Sequence, residues 1–166
     1  MILDATAGNR LIWGGRKAPY TIYMDKEVGL ARPPDIFGDN TRCPFRDGVF
    51  ETVIYDPPHY VNAPPWMTDP EGRLGKNNFG TFFGNFETKT EMLTSIRKAQ
   101  KEFQRIANRL CLKWVEGSYT LWKILPFFKG WTMIHKLEMS KGRTRTYWIT
   151  FIRALHRTPK NIEKLK

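Results

Sequence analysis

Short apolar runs that end at a carboxylate set the pattern of the first third of the chain. Ile2 and Leu3 run into Asp4, residues 21–24 into Asp25, residues 35–37 into Gly38, Asp39 and Asn40, and residues 50–55 into Asp56. Runs of this length, rich in β-branched and aromatic residues and bounded by Gly, Asn and Asp, predict four strands. The small residues Ala5, Thr6, Ala7 and Gly8 predict a tight turn after the first. The fourth run is the most sharply punctuated. Val53, Ile54 and Tyr55 suit a buried strand, whereas Pro57 and Pro58 after Asp56 forbid helix and further pairing, so the backbone must leave the sheet in a fixed direction.

After that exit, residues 57–87 show no sustained period and predict a long loop, a class of segment that tends to be functional. Thr88 and Glu91 have capping-box spacing, and Leu93, Ile96, Ala99, Phe103, Ile106 and Leu110 follow at intervals of three or four, predicting a long amphipathic helix. Residues 111–115 predict a fifth strand, 119–128 a helix bent or stopped near Pro126. Two alternating segments, 131–138 and 144–152, flank a turn containing Ser140, Lys141 and Gly142 and predict an antiparallel hairpin. The pattern assigns residues 1–154 to one domain and 155–166 to a basic tail.

Composition narrows the partners. Lys and Arg number 27 against 16 acidic residues, a formal net charge of +11 that attracts polyanions and makes nucleic acid the expected partner. Six Trp and 41% hydrophobic residues argue for a packed core and against disorder. Cys43 and Cys111 are isolated thiols, so neither a zinc site nor a disulfide framework is expected. No apolar run is long enough to span a bilayer, and the first ten residues lack a basic leader and an apolar signal core. A cytoplasmic location without a membrane partner is therefore expected.

DATAGNR after the first strand, an acid ending the second, GDN after the third, DPPH after the fourth and a terminal hairpin together resemble the class I S-adenosylmethionine-dependent methyltransferases. Within them the chain is most similar to amino-methyltransferases with a D-P-P-aromatic motif, the DPPY type. The resemblance covers roughly residues 1–153. It implies an α/β, Rossmann-like, mostly parallel sheet with a C-terminal antiparallel hairpin, and it implies S-adenosyl-L-methionine as cofactor. The family's glycine turn falls on Asp4, Ala5, Thr6, Ala7 and Gly8, with Arg10 replacing its final glycine and Thr6 its aromatic. By the same resemblance Asp25 receives ribose hydroxyls, and Asp39 and Asn40 meet the adenine, with Phe45 covering the ring.

The acceptor side follows from DPPH. An exocyclic amine on a base is a poor nucleophile because its lone pair is delocalised into the ring. The resemblance implies that Asp56 and the Pro57 carbonyl accept hydrogen bonds from that amine and localise the pair, while Pro58 stiffens the exit and His59 takes the stacking position. Tyr60 is a neighbouring platform, and Trp66, Asn78 and Phe79 in the long loop are candidate clamps for an unstacked nucleotide. Trp114 and Glu116 are expected to wall the pocket.

The helix complement is reduced. No helix precedes the first strand, and the segments 26–34 and 40–49 are too short or carry proline, so one sheet face is expected to be thinly covered, by a second copy of the chain or by the long loop. The function expected first is methylation of adenine N6 in DNA, or of cytosine N4. The alternatives are an RNA base methyltransferase and a non-catalytic basic nucleic-acid-binding module. A protein-glutamine methylase is disfavoured, because its motif begins with Asn where this chain has Asp56.

Overall fold

A computed structural model describes residues 1–62, 85–142 and 144–154. Seven strands form one sheet: β1 (Ile2–Asp4), β2 (Thr21–Asp25), β3 (Ile36–Phe37), β4 (Phe50–Tyr55), β5 (Ala107–Val115), β6 (Trp131–Lys141) and β7 (Thr144–Arg153). Their order is β3-β2-β1-β4-β5-β7-β6. The first five pair in parallel, while β7 runs antiparallel to β5 and to β6. The chain turns back at β1: after β3 at one margin it returns to place β4 on the other side of β1. This reversal is the topological switch point of an open α/β sheet, beyond whose carboxyl ends ligands bind.

One helix dominates. Helix α1 (Lys89–Ile106) starts at Thr88, whose hydroxyl accepts the Glu91 N–H at 3.1 Å, while the Glu91 carboxylate accepts the N–H of Glu87 at 3.0 Å. The return bond of the capping box thus falls one residue earlier than the motif's usual form. Its buried stripe is Met92, Ile96, Ala99, Gln100, Phe103 and Ile106. The helix stops there, although Leu110 fits the same period. Ala107 turns extended, and β5 begins four residues before the strand that the pattern predicts. The reason is tertiary, since residues 107–112 find ladder partners on β4, from Phe50↔Ala107 to Tyr55↔Leu112. The segment after β5 is a short helix α2 (Leu121–Ile124) followed by a 3-10 turn, Leu125–Phe127, with Pro126 where a helix would have continued.

The core lies on one face of the sheet. Leu3, Val53, Leu110 and Phe151 are register partners across four adjacent strands, and with Tyr55, Leu112, Trp114, Tyr147 and Ile149 they pack against α1 and α2. Phe103 meets Tyr55 edge to face at 4.9 Å, and Phe128 stacks on Phe151 at 5.4 Å. The residues of opposite parity, among them Ile54, Arg109, Cys111, Lys113 and Thr150, face the other way and contribute nothing to this cluster. On that second face the described chain places the turn around Leu11–Trp13, where Trp13 and Arg10 cover Tyr23. No helix among the described residues is long and apolar enough to cross a membrane.

Candidate active site

Three loops meet at the carboxyl ends of the parallel strands. The first, after β1, is built around Asp4, which is fully buried and accepts the Trp13 indole N–H at 2.8 Å and the Thr6 N–H at 3.3 Å. Burial, with the nearby charges of Asp56 and Asp25 adding to it, outweighs those two bonds and pushes the Asp4 carboxyl up to about 6. Gly8 takes a left-handed backbone with φ of 48°, and so does Arg10, with φ of 58°. Arg10 therefore adopts the conformation for which a glycine would ordinarily be used, at a cost of roughly 1–2 kcal/mol. Its guanidinium offsets that by donating to the Pro33 carbonyl at 2.6 Å and lying 4.6 Å from the centre of the Tyr23 ring.

Asp25 closes this turn from β2. Its carboxylate accepts the Gly8 N–H at 2.8 Å and the Glu27 N–H at 2.9 Å, so it ties the two strand ends together. Each oxygen retains a second lone pair for a further donor. Asp39 is exposed after β3, and its carboxylate accepts the Thr41 N–H at 2.8 Å in a local turn. Asn40 is half-buried beside it. Phe45 lies elsewhere: it meets Phe50 edge to face at 4.8 Å, at the amino end of β4 and away from the strand ends where a cofactor's ring is expected.

The exit from β4 is locked by contacts that the sequence pattern does not reveal. The Asp56 N–H donates to the Thr6 hydroxyl at 2.8 Å, which joins the turn after β1 directly to the DPPH segment. Lys113 on β5 donates from Nζ to Asp56 Oδ2 at 2.6 Å, with the two side chains only 19% and 10% exposed. The other carboxylate oxygen, Oδ1, is buried and has no hydrogen-bond partner. A buried acceptor left in this state costs free energy unless a ligand supplies a donor.

Beyond Asp56 the chain is held on both sides. Pro57 is buried and Pro58 half-buried. Ser118 donates its N–H to the His59 carbonyl at 2.9 Å and accepts the Val61 N–H on its hydroxyl at 2.8 Å. Gly117 is required for this approach, because a Cβ there would run into the His59 carbonyl oxygen. His59 is itself 7% exposed, with its ring 4.9 Å from that of Tyr60 and 6.3 Å from that of Trp114. Burial lowers its pKa against the pull of Asp56, so the imidazole is neutral at pH 7. Its Nδ1 lies 3.3 Å from the Pro57 carbonyl, which can only accept, so this contact favours the tautomer with hydrogen on Nδ1. Tyr60 is half-buried and is the more accessible ring.

Asp4, Thr6, Gly8, Asp25 and Asp56 are thus brought together, with Ala5 and Ala7 buried between them. Trp114 sits in the core and donates its indole N–H to the Tyr119 carbonyl at 3.2 Å, so it supports His59 from behind. Glu116 accepts the Leu121 N–H at 3.1 Å at the start of α2. Trp66, Asn78 and Phe79 lie outside the described residues. Lys113, Gly117 and Ser118 are the contributors that sequence reasoning missed. The usable signal was register: Lys113 lies two residues past Cys111, the partner of Ile54, which itself lies two before Asp56.

No family model matches the sequence, and no curated protein does. Solved structures do. The Mtq2–Trm112 complex of E. cuniculi, responsible for methylation of the eRF1 translation termination factor, is similar with a TM-score of 0.56 and 14% identity, over 92% of this chain and 84% of that one. The hMettl16 catalytic domain in complex with the MAT2A 3′UTR hairpin 1 gives 0.54 and 10%, over 91% of this chain and 63% of that one. Magnesium protoporphyrin IX methyltransferase (ChlM) of Synechocystis PCC 6803, with bound SAM, gives 0.50 and 14%, over 92% and 69%. At such identities a likeness speaks for architecture alone. By sheet order and by these likenesses, the chain has the Rossmann-like fold of the class I S-adenosylmethionine-dependent methyltransferases.

Proposed function

We propose that this chain is an S-adenosylmethionine-dependent methyltransferase acting on an exocyclic amine of a nucleobase, with adenine N6 in DNA as the first substrate and cytosine N4 beside it. The observation that carries the reading is Asp56 itself: a buried carboxylate with one oxygen ion-paired and the other unpartnered, at the switch point of the sheet. An amine N–H is the donor that Oδ1 lacks.

The cofactor side fits a cationic nucleoside. Asp4, Asp25 and Asp56 concentrate negative charge at adjacent strand ends, and their mutual repulsion contributes to the high pKa of Asp4. A positive ligand relieves that repulsion. The turn from Asp4 through Ala5, Thr6 and Ala7 to Gly8 would hold its methionine portion, Asp25 its ribose hydroxyls, and Asp39 and Asn40 its base. When bound, S-adenosylmethionine supplies an electrophilic methyl group on a sulfonium.

This chain's own residues then position and polarise. Asp56 Oδ1 and the Pro57 carbonyl accept the two amine hydrogens, which turns the nitrogen lone pair out of the base plane and along the line of attack. As the nitrogen becomes positive, Asp56 stabilises the developing charge. The burial of His59 makes it part of the packing that fixes this loop, and Tyr60 is the ring left to stack on the base. A net charge of +11 supports a polyanionic substrate. RNA is the second reading, favoured by the hairpin bound to one structural neighbour.

The test is transfer of labelled methyl groups from S-adenosylmethionine to defined DNA and RNA oligonucleotides, followed by nucleoside analysis. The expected product is N6-methyladenine or N4-methylcytosine in DNA. Label found only in RNA nucleosides selects the second reading, and failure to label either polymer overturns the proposal.

A further inference from the structure

Nothing in the hydrophobic pattern marks Lys113, which reads as one of many lysines. In the fold it is placed with care. Tyr55↔Leu112 is the last pair of the β4–β5 ladder, so the next residues along the two strands, Asp56 and Lys113, lie side by side on the opposite face. On its other side, Lys113 is the register partner of Trp148 on β7. Its ammonium reaches only Oδ2 of Asp56, at 2.6 Å. Meanwhile Thr6 holds the Asp56 backbone N–H at 2.8 Å, so the carboxylate is fixed from the main chain and from one oxygen.

On the reading of Asp56 given above, we propose that Lys113 is a positioning residue for methyl transfer. A carboxylate held only by its backbone turns about its terminal torsion, which is broad, and offers either oxygen to a substrate. With Oδ2 occupied by an ammonium, Oδ1 is the single acceptor, and its direction is set before the amine arrives. One effect runs the other way, because a cation near a nitrogen that is becoming positive raises the barrier. Coulomb energy falls with distance, and Oδ1 touches the amine while the ammonium sits behind the far oxygen, so the attraction prevails.

The experiment compares Lys113→Met, Lys113→Arg, Asp56→Ala and the double variant Asp56→Ala/Lys113→Met with the wild-type chain, measuring kcat, KM for S-adenosylmethionine and thermal melting. Lys113→Met is expected to lower kcat by about 30- to 100-fold, within the range of a lost catalytic alignment, and to leave KM for S-adenosylmethionine within about 2-fold. Lys113→Arg restores a cation and is expected to recover at least about tenfold of that loss. In the Asp56→Ala background, Lys113→Met is expected to change kcat by less than about 2-fold, since a residue acting through Asp56 has nothing left to act on.

A wild-type chain that transfers methyl groups while Lys113→Met does so at the same kcat overturns this proposal and leaves the function standing. Full effects of Lys113→Met in the absence of Asp56 overturn it as well. Should Lys113→Met fail to fold, Lys113→Arg decides: a kcat below about one hundredth of wild type, with normal melting, contradicts a positioning role that any cation at this place would fill. A wild type that transfers no methyl group overturns the function and this proposal together.

Discussion

The two faces of the sheet do different things. The face under α1 and α2 presents Leu3, Val53, Tyr55, Leu110, Leu112, Trp114, Ile149 and Phe151, all buried and apolar. The opposite parity presents Asp4, Ile54, Arg109, Cys111, Lys113 and Thr150, with Asp25 and Asp56 continuing it at the strand ends. Parallel sheets are ordinarily covered on both faces and then read as unbroken apolar runs. Here the second face carries no α-helix among the described residues, only the short 3-10 turn Leu11–Trp13, and its strands carry charge. Asp4, Asp25, Asp56 and Lys113 share that parity, and they are the charged groups at the heart of the candidate site. The first face holds the core, and the second carries the candidate site.

That division predicts where substitutions will be felt. The largest effect belongs to the packed face: Phe103→Ala, fully buried against Tyr55, is expected to cost about 3–5 kcal/mol in stability, read by denaturant unfolding. A loss below about 1 kcal/mol breaks the assignment of the core to this face. Next, Asp56→Ala is expected to lower turnover by about 100- to 1,000-fold in a protein that still folds, with circular dichroism as the control. Near-normal turnover would remove Asp56 from the reaction.

The third prediction concerns pH and rests on Asp4. Its pKa is about 6 in the folded chain against 3.8 as the ordinary value, so the folded state holds this proton more tightly than the unfolded chain. The contribution to stability is therefore complete below about pH 3.8 and is lost as pH rises through 6. Binding of a cationic cofactor has the opposite sign, because it needs the ionised carboxylate. Affinity for S-adenosylmethionine, measured by calorimetry, is expected to fall about tenfold between pH 7.5 and 5. Asp4→Asn should abolish both dependences, and an affinity independent of pH in the wild type would contradict the role of Asp4. The smallest effect is on the open face, where Leu137, 49% exposed on β6, is expected to tolerate Ser at a cost below about 1 kcal/mol. A loss as large as that of Phe103→Ala would mean that this face is covered in solution.

Much of this was legible before the structure. The strand at residues 50–55 carries the bounds that the apolar run and the two prolines give it, and the helix starts where Thr88 and Glu91 place it. The sparse helix complement was equally visible, because segments that short and that proline-rich cannot form one. Less legible were the junctions. Leu110 satisfies both a helical period from Ile106 and an alternating strand with Leu112 and Trp114, and a local pattern cannot choose between them. Pairing with β4 chose. The same limit applied to Phe45, Trp114 and Glu116, whose neighbours lie far away along the chain.

What the sequence determined by itself is the set of carboxylates at strand ends and the stiff exit after Asp56, because both follow from local rules about apolar runs, turn formers and proline. The tertiary structure alone decided what surrounds them. Lys113 meets Asp56 across 57 residues, Thr6 across 50, and Ser118 meets Val61 across 57. Register between strands sets the first two of these meetings and the loops beyond the strands the third, and register is a property of the whole sheet that no single segment encodes.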